Sequence, residues 1–177
     1  MAANDIAGAI ERVKTIMARR PEVAVQANTP TTARWEGGLR ASATHETGLR
    51  VETDMPGELG GTGDRPSPGW LLRAGASSCA VIRIAMEAAS AGVVLDTLEV
   101  RAESRSDARG LLALAGDDGR CVPAGPLDVV LRVRIAATGV SEALLRALVD
   151  SACRCAPVQQ ALAQATPVEV QVDIGMP

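Results

Sequence analysis

Between residues 4 and 20 apolar side chains recur at spacings of three and four: Ile6, Ala9, Ile10, Val13, Ile16 and Met17. That period predicts an amphipathic surface helix, with Asn4 able to cap it and Pro21 to stop it. The period then shortens to two. Residues 22–28 (EVAVQAN) alternate as a strand, and further strands are predicted over about 32–43 and 48–54, with Glu46, Thr47 and Gly48 turning between them. The stretch from Pro56 to Pro68, PGELGGTGDRPSP, is rich in Gly and Pro and reads as a long loop. Loops of that length in compact domains are commonly functional. From Gly69 to about Ala91 a helix is predicted that is small or apolar nearly all round, with Arg73, Arg83 and Glu87 as its only charges. Such a helix belongs inside a structure. Gly92 ends it, and Arg83 and Glu87 are spaced to pair across one turn.

The second half repeats both periods. LDTLEVRAES at 95–104 alternates as a strand. Residues 107–125 predict a short strand near 111–114 plus a loop, and LDVVLRVRIA at 127–136 sets Val129, Leu131, Val133 and Ile135 on one face against Arg132 and Arg134 on the other. Ser141 caps a helix to about Cys153, with Leu144, Leu145, Leu148 and Val149 as its buried stripe. Pro157 opens a short helix through Gln164, and VEVQVDI at 168–174 reads as a closing strand. The order predicts an α+β domain of antiparallel strands around a buried central helix.

Composition narrows the function classes. The chain has 177 residues and a net charge of −3, and it is 47% hydrophobic, enough for one domain and too apolar for a disordered chain. No run approaches the ~18 apolar residues of a membrane span, and the N-terminus has no apolar leader core, so a cytoplasmic protein with no membrane association is expected. Mild, scattered acidity argues against a nucleic-acid groove. Trp35 and Trp70 are the only aromatics, so the core must be built from Ala, Val, Leu and Ile. His45, the one histidine, is expected on an exposed turn and leaves no multi-His metal site.

Candidate chemistry falls to the cysteines: Cys79, Cys121, Cys153 and Cys155. A cytoplasmic setting keeps them reduced, and the C-x-C pair at 153–155 lacks the second pair that a structural zinc needs. Cys79, ten residues inside a helix, reads on its own as a small core hydrophobe unless its setting is accessible and electropositive.

The wider pattern adds to this. GELGG…SPGWLLRAGASSCA resembles the OsmC/Ohr family of thiol-dependent peroxide reductases. So do RWEGGLR at 34–40, LRVRIAATG at 131–139, ALLRALVDSACRCAPVQQAL at 143–162 and the terminal VEVQVDI. The resemblance covers about residues 31–174, in order, and leaves residues 1–21 as an added helix before a domain of residues 22–177. In the family a helix carries the peroxidatic Cys at the twelfth position counted from a Pro, and Pro68 to Cys79 fits that count. The resemblance implies an intertwined homodimer, a hydroperoxide substrate, a dithiol reductant that is often lipoyl, and no bound cofactor or metal. The implied cycle oxidises Cys79 to a sulfenic acid, which a second Cys resolves as a disulfide.

An Arg on an early strand steadies the thiolate in this family; Arg40 is the positional candidate, with Arg34 and Arg50 as alternatives. Two positions depart from the pattern. Gly69 stands where the family has a Glu that orients the Arg, with Asp64 or Glu58 as substitutes, and Ala156 stands in the slot of the resolving Cys. Cys155, one residue earlier, is the candidate resolver, balanced against a reading in which Cys153 and Cys155 have no role. Trp70, beside Gly69 at the mouth of the Cys79 helix, is expected to wall the pocket. The alternative reading is a protein of the same fold that binds a small hydrophobic or electrophilic ligand without turning it over.

Overall fold

The computed structural model describes residues 3–175, with side chains from Asp5 onward. It contains helix α1 (Ala3–Arg19), strands β1 (Thr32–Trp35), β2 (Ala41–Thr44) and β3 (Arg50–Thr53), and helix α2 (Pro68–Ser90). Strand β4 (Thr97–Ser106), a helical turn α3 (Ala108–Leu111), strand β5 (Pro126–Ala136), and helices α4 (Glu142–Arg154) and α5 (Pro157–Ala163) follow. The Asn4 side chain proposed as a cap lies outside the described residues.

Helix α2 is built from local rules. The Ser67 hydroxyl accepts from Trp70 N at 3.3 Å, and Pro68 opens the first turn, where its missing N–H costs nothing. At the other end Gly92 takes a φ of 69°, Gly92 N donates to Ala89 O at 3.0 Å, and Val93 N donates to Ala88 O at 2.8 Å. This is a Schellman ending, completed by the packing of Val93 with Ala88. Ala76, Ala80, Ile84 and Ala88 recur every fourth residue and are buried. Because three of the four are alanines, α4 and α5 can approach the α2 backbone closely; Leu148, Ala152 and Ala156 close the seam. Within one chain, however, α2 is not covered on every face, as its composition suggests. Trp70, Leu72 and Ile82 stay exposed, Ile82 at 61%.

Strands β4 and β5 pair antiparallel, with Leu98 opposite Ile135, Val100 opposite Val133 and Ala102 opposite Leu131. Along β5 the residues at 129, 131, 133 and 135 are the more buried set, as the alternation predicts. On the outer face Arg101 sits opposite Arg132, and Glu103 binds both guanidinium groups at 3.0 Å, which offsets the like-charge pair. Arg73 ties α2 to β4 by donating to Ser104 Oγ at 3.2 Å.

A separate antiparallel sheet has the order β1-β2-β3. The region expected as one strand over 32–43 is split, because Gly37 and Gly38 take φ values of 97° and 56° and turn the chain within RWEGGLR. Arg40 N donates to Gly37 O and Glu36 N to Arg40 O, which fixes the hairpin. Among the described residues, β1–β3 make no more than marginal contact with α2, β4, β5 or α4.

Three other expected strand segments are not strands. Residues 22–28 begin as a 3-10 turn, Pro21–Ala24, and Val25 is exposed, because no strand lies beside them. Leu111 ends the helical turn α3, and residues 112–114 leave it with Ala113 at a φ of 55°. Residues 168–174 alternate as read, but Val168, Val170, Val172 and Ile174 are exposed, and the segment pairs with no strand among the described residues. Leu144, placed in the buried stripe of α4, is exposed as well, whereas Leu148 is buried and Leu145 partly so.

Candidate functional site

Three of the four thiols lie on α2 or at the end of α4. Helix α2 runs antiparallel to the α4–α5 stretch and is tied once to each of the two helices. Ser151 Oγ donates to Glu87 Oε1 at 2.9 Å, and Gln159 Nε2 donates to Ala76 O at 2.8 Å. Cys79 lies on α2 between those anchors and is half-buried. Cys153, in the last turn of α4, is also half-buried; its burial pushes the thiol up, and the Asp150 carboxylate and Cys79 add to the effect. The two thiols therefore share one electrostatic neighbourhood. Cys155 caps α4 and is exposed, while its neighbour Ala156 is fully buried against the seam. The chain leaves the helix at Cys155, and Ala156 takes extended backbone with a φ of −85° and a ψ of 120°, which parts the two side chains. Cys121 is exposed in the loop, across an isolated bridge from Ala115.

Arg83 sits on the same α2 face as Cys79, one turn further on. Its Nη2 meets Glu87 Oε2 at 3.3 Å, the pairing predicted from spacing. Two buried polar atoms near the seam have no partner: Arg83 Nε and Gln159 Oε1.

A second cluster surrounds Arg40. Its Nη2 donates to Asp54 Oδ2 at 3.2 Å and to Thr62 Oγ1 at 2.7 Å, and also pairs with Asp64. Asp54 is only 2% exposed and accepts the Met55 and Thr62 amides as well. The Thr62 hydroxyl lies between the two carboxylates, donating to one at a time while it accepts from Arg40. Hydrogen bonding from Thr62, then from the two amides and Arg40, holds the Asp54 carboxyl far below the usual carboxylate range. Asp64 is held low by Thr62 first and then by Arg40 and Arg65. The loop must pass close to β3 to do this: a Cβ on Gly61 would stand 1.8 Å from Met55 O. A shallow cavity here is lined by Glu36, Leu39, Arg40, Asp54 and Thr62.

Of the sequence candidates, then, Asp64 does pair with Arg40, whereas Glu58 makes no ion pair among the described residues. Arg50 is bound to Glu36 and Glu52, and Arg34 is exposed with no ion pair among the described residues. No hydrogen bond joins Arg40 to Cys79 within the chain. Trp70 is 50% exposed in the first turn of α2, next to exposed Gly69. His45 is half-buried rather than exposed, because its Nδ1 accepts from Thr47 N at 3.2 Å and holds the ring against the turn. Sequence reasoning missed Asp54, Thr62 and Gln159. Only Asp54 carried a signal, as an acid directly after an alternating strand.

Two antiparallel sheets, a long cysteine-bearing helix and a short helical pair define an α+β fold that is shared with solved structures. An OsmC-like protein from Mycoplasma pneumoniae matches at 15% identity with a TM-score of 0.65, over 80% of this chain and 91% of that one. An organic hydroperoxide resistance protein OsmC from Legionella pneumophila matches at 24% identity with a TM-score of 0.56, over 77% and 91%. The organic hydroperoxide resistance protein OhrB of Bacillus subtilis matches at 20% identity with a TM-score of 0.51, over 78% and 93%. No curated protein matches the chain. The family pattern described as OsmC-like protein matches residues 61–171, and the chain belongs to that family. No described helix is long and apolar enough to cross a membrane.

Proposed function

We propose that this chain is a thiol-dependent peroxidase of the cytoplasm that reduces organic hydroperoxides or hydrogen peroxide as a stress defence, working as a homodimer. The observation that carries the reading is a half-buried Cys79, inside the family-matched span, with a second thiol in its electrostatic neighbourhood. In the cycle the Cys79 thiolate attacks one peroxide oxygen and the O–O bond breaks. The departing oxygen takes a proton to leave as alcohol or water, and Cys79 is left as a sulfenic acid. One of the pair Cys153 and Cys155 condenses with it, releasing water and forming a disulfide, which an external dithiol, lipoyl in kind, reduces. Arg40, oriented by Asp54, Thr62 and Asp64, supplies positive charge for the developing anion. Trp70 and Gly69 border the entrance.

The homodimer is supported by what one chain leaves uncovered: Leu72 and Ile82 on α2, the alternating 168–174 segment and the β1–β3 sheet. A second reading, a ligand-binding member of the family without turnover, is favoured by Gly69, which puts no carboxylate at the first turn of α2, and by the lack of any Arg40–Cys79 bond within the chain. Cumene hydroperoxide turnover with a dithiol reductant separates the two. The wild type is expected to turn over, and Cys79→Ser to lose at least about a hundredfold, as for removal of an essential nucleophile. Equal, negligible rates would leave the binding reading.

A further inference from the structure

We infer that helix α1 is a docking surface for a second copy of this chain, and that the apolar face of the other copy's β1–β3 sheet seats on it, anchored by the partner's Trp35. This rests on the homodimer reading above and names one of its contacts.

Helix α1 is the element that the family resemblance leaves out, and it packs on α2. Ile6, Ile10 and Met17 lie within about 40° of one another around the helix and are half-buried. Val13 and Ile16 fall on a second line, turned from the first by about 70°. Both are exposed. The apolar stripe of α1 is therefore wider than its seat on α2, and one edge of it is left for another surface. On the neighbouring helix Leu72 and Ile82 are open as well, so α1 and α2 form a two-helix layer with apolar positions still in water.

The β1–β3 sheet carries the complementary surface. Ala33 pairs across to Ala43 and Val51, and Trp35 to Ala41 and Thr53, which puts these six residues on one face. Arg34, Arg50 and Glu52 take the other face. Trp35 is 77% exposed, yet its Nε1 donates to Gly38 O at 2.9 Å, so the ring is held in place without being covered. A large aromatic fixed in advance is a typical interface anchor. The chain's own helices do not use this face: among the described residues, β1–β3 make no more than marginal contact with any helix. Three strands about 4.8 Å apart are wide enough to bridge the ~8–10 Å between two packed helix axes.

Charge selects the same pairing. Residues 11–20, the second half of α1 and its end, carry four basic side chains against Glu11 alone. Residues 32–65, the sheet and its loop, carry six carboxylates against four arginines. Opposite signs favour the sheet on α1 and disfavour α1 on a second α1.

The test is sedimentation and native mass spectrometry of the full chain and two variants, Ile16→Asp on α1 and Trp35→Ala on the sheet. Both side chains are exposed in the single chain, so far-UV circular dichroism is expected to stay unchanged. Val13→Asp is a second variant of the α1 surface and is expected to behave as Ile16→Asp does. Each variant is expected to raise the dimer dissociation constant about tenfold or more. Mixed together, Ile16→Asp and Trp35→Ala chains form a heterodimer in which both changes meet at one contact and the other contact is wild type. The square of the heterodimer amount over the product of the two homodimers is therefore expected to exceed its statistical value at least about tenfold. Statistical pairing, or a wild-type dissociation constant for either variant, overturns the contact and leaves the homodimer standing. A wild-type chain that stays monomeric at micromolar concentration overturns the homodimer reading itself.

Discussion

At the scale of single residues, the Arg40 cluster ties charge placement to acid stability. Asp54 and Asp64 are held below the ordinary carboxylate range, so the folded state binds their protons more weakly than the unfolded chain does. The stability they contribute is complete above the unfolded carboxylate value and is lost as pH falls from there through the lowered folded value. The melting temperature of the wild type is therefore expected to drop steeply from about pH 5 downward, and that of Asp54→Asn to start lower and fall less. Thermal melts across a pH series check this; parallel curves for the two proteins would remove Asp54 from the account. Cys153 runs the other way. Its raised thiol stays protonated at neutral pH, so folding stability is lost as pH rises through it. Much of this was legible in the sequence: Arg40 and its Asp64 partner stand in motifs. The roles of Asp54 and Thr62 were not, because they depend on a Gly-rich loop folding back on β3, and Gly61 is the residue that allows it.

Among the elements, the α2–α4 seam sets what substitutions cost. Ile84 is fully buried in the middle of α2, so Ile84→Ala is expected to destabilise by about 2–5 kcal/mol. Ala80 has no exposed surface against α4, and Ala80→Leu is expected to cost about 1–3 kcal/mol through overpacking. Urea denaturation measures both, and an unchanged midpoint for either would show that the seam is looser than described. Helices α1, α2, α4 and α5 and strands β4 and β5 could be read from the chain because each carries a local period with its own cap or breaker. The segments at 22–28 and 168–174 could not be settled that way: alternation reports a half-buried strand only when something pairs with it. The break within 32–43 was written in Gly37 and Gly38, a glycine pair that favours a hairpin turn over a continuous strand.

For the whole molecule, one chain is an incomplete enclosure. Leu72 and Ile82 on α2, and Ile174 at 94% exposure, are apolar positions that a monomer leaves in water. Sedimentation equilibrium is expected to give twice the 18.2 kDa chain mass, and Ile82→Asp to shift it toward the single chain. A wild-type monomer at micromolar concentration would sink the dimer. Sequence reading foresaw the shortage of cover, since a helix apolar on most faces needs more neighbours than 177 residues provide. It did not foresee that the arginine-bearing sheet would stand apart from the thiol-bearing helix. On the dimeric peroxidase reading, that separation makes the chemistry a property of concentration. If each Cys79 draws its arginine from another copy, dilution disarms the thiol without unfolding it, and the cell's level of this protein sets both how many sites exist and what fraction of them are assembled.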